Sequence, residues 1–223
     1  MTNPATTPAR PGPSVKEERW YVLRIRLLDH KPTVWRRLAV PERITLPVLK
    51  HVIQASFGWR VAHFHRFVIN GVHYGPRQLH EGASVVDEHL IELRKALGPE
   101  TRCFEYVRDV GERWHHAALV EERGMLCSAR AFPPLCLGGR NVCPVDHWES
   151  LQALNDIRDA LRNPRDARCA HVWEKGPDYD PERFCRVRAN LAIQRTLDAH
   201  CPEDRASLFL LAQTRCERRS ETS

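Results

Sequence analysis

Between Trp20 and Gly75 the apolar residues change period twice, from two to about three and a half and back to two, with turn chemistry at each change. Tyr21, Leu23, Ile25 and Leu27 alternate with Trp20, Val22, Arg24 and Arg26, which predicts a half-buried strand with one apolar face and one partly basic face. Asp29 to Pro32 supplies a turn, and a second run from Thr33 to Val40 is closed by Pro41. Two such runs joined by a short turn predict an antiparallel hairpin. Thr45 then reads as an N-cap, with Pro47 tolerated in the first helical turn. Leu46, Leu49, Val52, Ile53 and Phe57 share one face of an amphipathic helix, Lys50, His51 and Gln54 fall mainly outside that stripe, and Gly58 stops it. A strand from about Ala62 to Ile69 comes next, and Asn70-Gly71 turns it back into Val72–Tyr74, the strongest short hairpin signal.

The remaining chain extends this pattern. Val86, Leu90, Leu93 and Leu97 suit a short helix ended by Gly98-Pro99. Cys103 to Arg108 predicts a strand, residues 109–112 a turn, and Trp114, His116, Ala118 and Val120 a return strand, giving a third hairpin. Residues 121–146 read as irregular. Three helices are expected beyond them: one capped by Asp146, one opened by Asp180-Pro181 with Phe184, Val187 and Leu191 inward, and one from Pro202 to about Thr214. The expected fold class is therefore α+β: a mostly antiparallel sheet of three hairpins packed on an amphipathic helix, with C-terminal helices. Residues 1–18, rich in Pro and Thr, are expected to be a disordered tail. Residues 19–200 form the domain, and 201–223 a last helix with a frayed end.

No apolar run approaches the roughly 20 residues of a membrane span, and the N-terminus has no signal-type apolar segment, so a cytoplasmic protein with no membrane partner is expected. Eight cysteines in that setting are expected to be reduced thiols. Cys103, Cys169 and Cys185 read as small core residues.

Charge is concentrated. Nine basic side chains against Asp29 and Glu42 put +7 between Trp20 and Gly75, more than the whole formal excess of +6. A basic strand face attracts polyanions by its field and by counterion release, so DNA or RNA is the expected partner, with Arg24, Arg26, Arg36, Arg37 and Arg66 as backbone contacts. The competing reading is a solvated face whose salt-bridge partners lie elsewhere. Trp35 and Trp59 could stack bases, but both read more simply as core.

Two clusters could carry metal or acid–base chemistry. His63 and His65 lie two apart in one strand and share a face. With His115 or His116 and with Asp109 they could form a metal or acid–base cluster, and His65 could equally be a core histidine with a partner. Cys127, Cys136, Cys143 and His147 are a zinc-type ligand set, but lack the C-x-x-C spacing, which favours a structural loop without a cofactor.

The string Pro32 to Arg37, the helix Leu46–Phe57 with Gly58-Trp59, and His63-Phe64-His65-Arg66-Phe67 resemble the plasmid pRiA4b Orf-three-like family, often labelled mobile-element passenger or resolvase-like proteins. Asp87-Glu88, the segment from Phe104 to His116, and Asp178 to Phe184 resemble its later blocks, so the similarity spans roughly 20–198. It implies an α+β domain, in which residues 85–97 can hold a short strand before a helical turn instead of a single helix, and names no reaction. Cys136 to Pro144 is similar to the family's cysteine, glycine-arginine and cysteine-proline loop, but Val145-Asp146-His147-Trp148 stands where the family continues with Pro-Glu-Asp and Gly-Gly. No serine has a nucleophile motif, and no phosphate-cradling glycine loop is present. The expectation is thus a non-enzymatic accessory protein of mobile-element origin that binds nucleic acid. A metal-dependent enzyme and a protein-interaction module are the alternatives.

Overall fold

The computed structural model describes residues 16–59, 64–76, 85–110, 112–128, 133–143 and 183–201. An 8-stranded sheet runs in the spatial order β5-β4-β3-β6-β7-β1-β2-β8. Its strands are β1 (Lys16–Leu27), β2 (Trp35–Pro41), β3 (His65–Ile69), β4 (Val72–Gly75), β5 (Val85–Asp87), β6 (Cys103–Val110), β7 (Glu112–Ser128) and β8 (Leu135–Arg140). Neighbours pair antiparallel except β4 and β5, which are parallel. Among the described residues the helices are α1 (Leu46–Phe57), α2 (Leu93–Ala96) and α3 (Arg186–His200).

All three expected hairpins form, and the third stands between the other two: β7 takes β1 as its second neighbour and β6 takes β3. The β3–β4 turn uses Asn70 and Gly71 at φ 52° and 77°, the left-handed pair that matches strand twist. Tyr21, Leu23, Ile25, Leu38, Phe67, Tyr106 and Trp114 point inward from five strands and pack with α1 in one core.

Helix α1 is buried on more than the expected stripe. Gln54 is buried against Tyr106 of the sheet, Ser56 beside Arg36, and His51 against α3. His51 and His200 stack there with ring centroids 5.0 Å apart and planes 3° from parallel.

Several expectations are corrected. Residues 85–97 hold a short strand and then one helical turn, the alternative that the resemblance allows, and not the single helix that the spacing suggests. Residues 121–146 are not wholly irregular: β7 runs on to Ser128, and β8 adds to the edge of β2. Strand β1 begins at Lys16, so residues 16–18 of the expected tail are paired with β7. Helix α3 turns Ala189, Ile193 and Leu197 inward, while Val187 and Leu191 are exposed. Both sets have helical spacing, but the first continues at every fourth residue to Cys201, and the second ends after Leu191. Cys103 and Cys185 are exposed, one on the outer face of β6 and one at the start of α3. Cys169, residues 1–15 and the helices expected at 146–161 and 202–214 lie outside the described residues.

Strand β8 reaches β2 only because position 139 carries no side chain. A Cβ on Gly139 would stand 2.8 Å from the Trp35 carbonyl oxygen and 2.9 Å from Arg36 Cδ. Gly139→Ala is therefore expected to cost about 1–3 kcal/mol by overpacking, read as a lowered thermal midpoint.

Candidate functional site

The sheet's two faces carry two distinct surfaces. On the outer face the cross-strand register aligns side chains into rows. Arg26, Trp35 and Arg140 form one row across β1, β2 and β8, and Arg24 stands opposite Arg37 in the next. The Arg24 guanidinium lies 4.4 Å over the Trp35 ring, which is half-buried on this face and is not core. Trp59, by contrast, is core, as expected.

The five arginines expected to share a basic surface do not share it. Arg36 is only 2 % exposed, on the inner face. Its Nε donates to the Ser56 carbonyl at 2.8 Å, and its Nη1 donates to the Trp35 and Arg140 carbonyls at 2.8 and 3.0 Å. The guanidinium is sandwiched between the Phe57 and Phe184 rings at 4.9 and 4.4 Å. It thus satisfies a last-turn carbonyl of α1 and ties the helix to β8. Arg36 is a buried clamp and not a nucleic-acid contact. Adjacent strand residues face opposite ways, and Val34, Leu38 and Val40 already mark its face as inward.

Arg37 does face outward, but its Nε donates to Glu121 Oε2 at 2.6 Å and its Nη2 pairs with Glu122. Arg24 also approaches Glu121, at 3.6 Å. These carboxylates come from β7, outside the stretch in which the excess charge is concentrated, and they neutralise part of it. Arg66 lies on β3, separated from β1 by β6 and β7, so it does not join the rows. Arg26 and Arg140 are exposed. Arg140 escapes a reading of the sequence because its strand is identifiable only by its partner.

The inner face brings together a different set of groups. His65 and Arg108 are cross-strand partners, Tyr106 follows on β6, and His116 on β7 stands opposite Tyr106. His65 Nε2 hydrogen-bonds Glu88 Oε1 at 2.6 Å, with both side chains buried. With a carboxylate as its acceptor, Nε2 carries the proton and Nδ1 is left as a lone-pair nitrogen. Gln54 Nε2 donates to the Tyr106 hydroxyl at 2.7 Å. His116 Nδ1 hydrogen-bonds the Tyr106 carbonyl at 3.1 Å, which makes Nε2 its lone-pair nitrogen. His65 Nδ1, Glu88 Oε2, His51 Nδ1 and His116 Nε2 are buried with no hydrogen-bond partner among the described residues. Burial pushes the Tyr106 hydroxyl's pKa up. It pulls His116 down to about 3, and His51 likewise, there assisted by Lys50 and His200.

Of the metal or acid–base candidates, His65 and His116 are therefore on the inner face, on opposite sides of Tyr106, with ring centroids 6.2 and 5.4 Å from its ring. His63, His147 and the side chain of Asp109 lie outside the described residues. Cys136 and Cys143 are buried beside the Arg36 guanidinium, a poor neighbour for a cation. The Cys136 main chain is held from both sides by Asn190 of α3, at 2.8 and 3.0 Å. Among the described residues no three His, Cys, Asp or Glu side chains converge to hold a metal. No helix of the described residues is long and apolar enough to cross a membrane.

An eight-stranded, mostly antiparallel sheet covered on one face by helices, with a buried His–Glu–Tyr cluster between the layers, defines an α+β sheet-and-helix protein. The family described as plasmid pRiA4b ORF-3-like protein matches residues 19–187. The chain belongs to that family. It is 29 % identical over 183 residues to the uncharacterized protein y4hQ of Sinorhizobium fredii (strain NBRC 101917 / NGR234), covering 77 % of this chain and 90 % of that protein. The crystal structure of a protein of unknown function, MM3350 from Methanosarcina mazei Go1, is similar with a TM-score of 0.69 at 23 % identity. That similarity covers 79 % of this chain and 98 % of the other, and shows the fold.

Proposed function

We propose that this chain is a cytoplasmic accessory protein of plasmid or mobile-element origin that binds single-stranded nucleic acid on the outer face of β1, β2 and β8. The observation that carries the reading is the Arg24 guanidinium stacked on a half-buried Trp35, with Arg26 and Arg140 flanking that ring in one cross-strand row. An aromatic set among arginines offers a base a stacking surface and its phosphates charge-assisted donors. Because Glu121 and Glu122 occupy Arg37 and part of Arg24, the free charge on this face is, among the described residues, carried mainly by Arg26 and Arg140.

The test is fluorescence anisotropy of labelled single-stranded RNA, single-stranded DNA and duplex DNA at low and moderate salt. Micromolar binding to the single strands, steeply weakened by salt, is expected. Arg26→Ala and Arg140→Ala should each lower the salt slope by about 1 without changing sequence preference. Trp35→Ala should weaken binding by about 1–3 kcal/mol through lost stacking. No binding at low salt, or binding indifferent to Arg26 and Arg140, removes the reading.

A further inference from the structure

The buried cluster on the inner face is not needed by the surface just proposed, and it shares no residue with it. Purely structural buried polar groups satisfy one another. Here three atoms without a hydrogen-bond partner among the described residues belong to side chains that sit together around Tyr106, each more than nine-tenths buried: His65 Nδ1, Glu88 Oε2 and His116 Nε2. The arrangement around His65 has the parts of a proton-transfer site. Glu88 fixes one ring nitrogen at 2.6 Å, which sets the tautomer and leaves the opposite nitrogen as a base. Tyr106, in ring contact with His65, accepts from Gln54 and so keeps its own proton to donate.

The chain next to the buried cluster reaches the surface. His65 is the first residue of β3 and follows Phe64, which is 51 % exposed, and Glu88 is two residues before Leu90, which is 74 % exposed.

We propose that His65, positioned by Glu88, is the reacting base of a second site whose substrate is a small neutral carbonyl compound, an ester, amide or carbonate, with the Tyr106 hydroxyl as its proton donor. Neutral substrates fit because the rings beside His65, Phe67 and Tyr106, are aromatic. In the reaction Nδ1 takes a proton from water as the water oxygen bonds to the acyl carbon. The carbonyl oxygen, now negative, is met by the Tyr106 O–H. The bond to the leaving group then breaks, and the leaving group departs with the electron pair and the proton held on His65.

Diethyl pyrocarbonate, a small acyl electrophile, tests this on the full chain at pH 7. The His65 Nδ1 lone pair attacks its carbonyl carbon and the bond to ethyl carbonate breaks. The Nε2 proton passes through Glu88 to the departing ethyl carbonate, which decomposes to ethanol and carbon dioxide. Peptide mass mapping over time should show His65 carbethoxylated at least roughly tenfold faster than His116, and Glu88→Gln should slow His65 by roughly tenfold while the thermal melt stays close to wild type. If Glu88→Gln does not fold, Glu88→Asp takes its place with the same expectation. A structural histidine pair would behave otherwise: His65 modified as slowly as His116, or at a rate unmoved by the Glu88 change, overturns the proposal. Nucleic-acid binding plays no part in this readout, so the two sites stand or fall separately.

Discussion

Arg36→Ala should cost about 3 kcal/mol or more of stability, whereas Arg37→Ala, its immediate neighbour, should cost about 1 kcal/mol or less. The first removes a buried guanidinium that donates to three carbonyls, at Trp35, Ser56 and Arg140, and holds two strands and a helix end together. The second removes a partly exposed side chain paired to Glu121 and Glu122 at the surface. At roughly 2–4 °C of melting temperature per kcal/mol for a domain of this size, the Arg36 variant should melt about 10 °C lower. Arg36→Lys should restore only a fraction, because an ammonium cannot present a planar fork to two strands and a helix end together. Chemical denaturation of the three variants checks this, and equal midpoints for Arg36→Ala and Arg37→Ala would refute the clamp. It follows that no variant at Arg36 can report on surface binding.

Stability should also fall as the solution is acidified well above the carboxylate range. His116 and His51 are held neutral in the fold, with pKa values lowered from 6.5 to about 3 by burial first of all. Below pH 6.5 the unfolded chain takes up protons that the folded chain refuses, so stability is fully present above 6.5 and declines toward 3. The slope is at most about 1.4 kcal/mol per pH unit for each histidine, or about 2 kcal/mol apiece between pH 6.5 and 5. Denaturant midpoints at pH 7, 6 and 5 should drop accordingly, and His116→Gln should flatten the profile over that window. His51 adds a local signature. Protonating a ring stacked on His200 and next to Lys50 works against the α1–α3 contact, so α3 should loosen before the sheet.

Legible and illegible features of the sequence divide along a physical line. The hairpins at 20–41, 65–75 and 103–120 are legible because turn chemistry and alternation are local, and Asn70-Gly71 needs no distant partner. The position of the third hairpin between the other two, the strand β8 and the α3 face at Ala189, Ile193 and Leu197 depend on long-range pairing, which leaves a weak local trace. The same holds for the candidate sites. Glu121 and Glu122 are invisible as partners of Arg24 and Arg37 because they lie about a hundred residues further along. Glu88 sits in a short resembling block, with nothing nearby to show that its carboxylate meets His65. Arg36 is different, since the alternation of Val34, Leu38 and Val40 does place it inward, against the pull of counting charge along the chain.

The central placement of β6 and β7 has a consequence for how the protein is made. Strand β1 finds its long partner only when residues 112–128 have been synthesised. Until then a nascent chain has a complete first hairpin, α1 and a second hairpin, with nothing to bridge them. Tyr21, Leu23, Ile25 and Phe67, all core residues of the finished sheet, wait for neighbours while that stretch is still being translated. Non-local pairing of this kind is slow, and it leaves strand edges open to other chains. Fragments that end between the second and third hairpins should accordingly be recovered as aggregates, and chaperone dependence should be greatest while residues 76–128 are emerging.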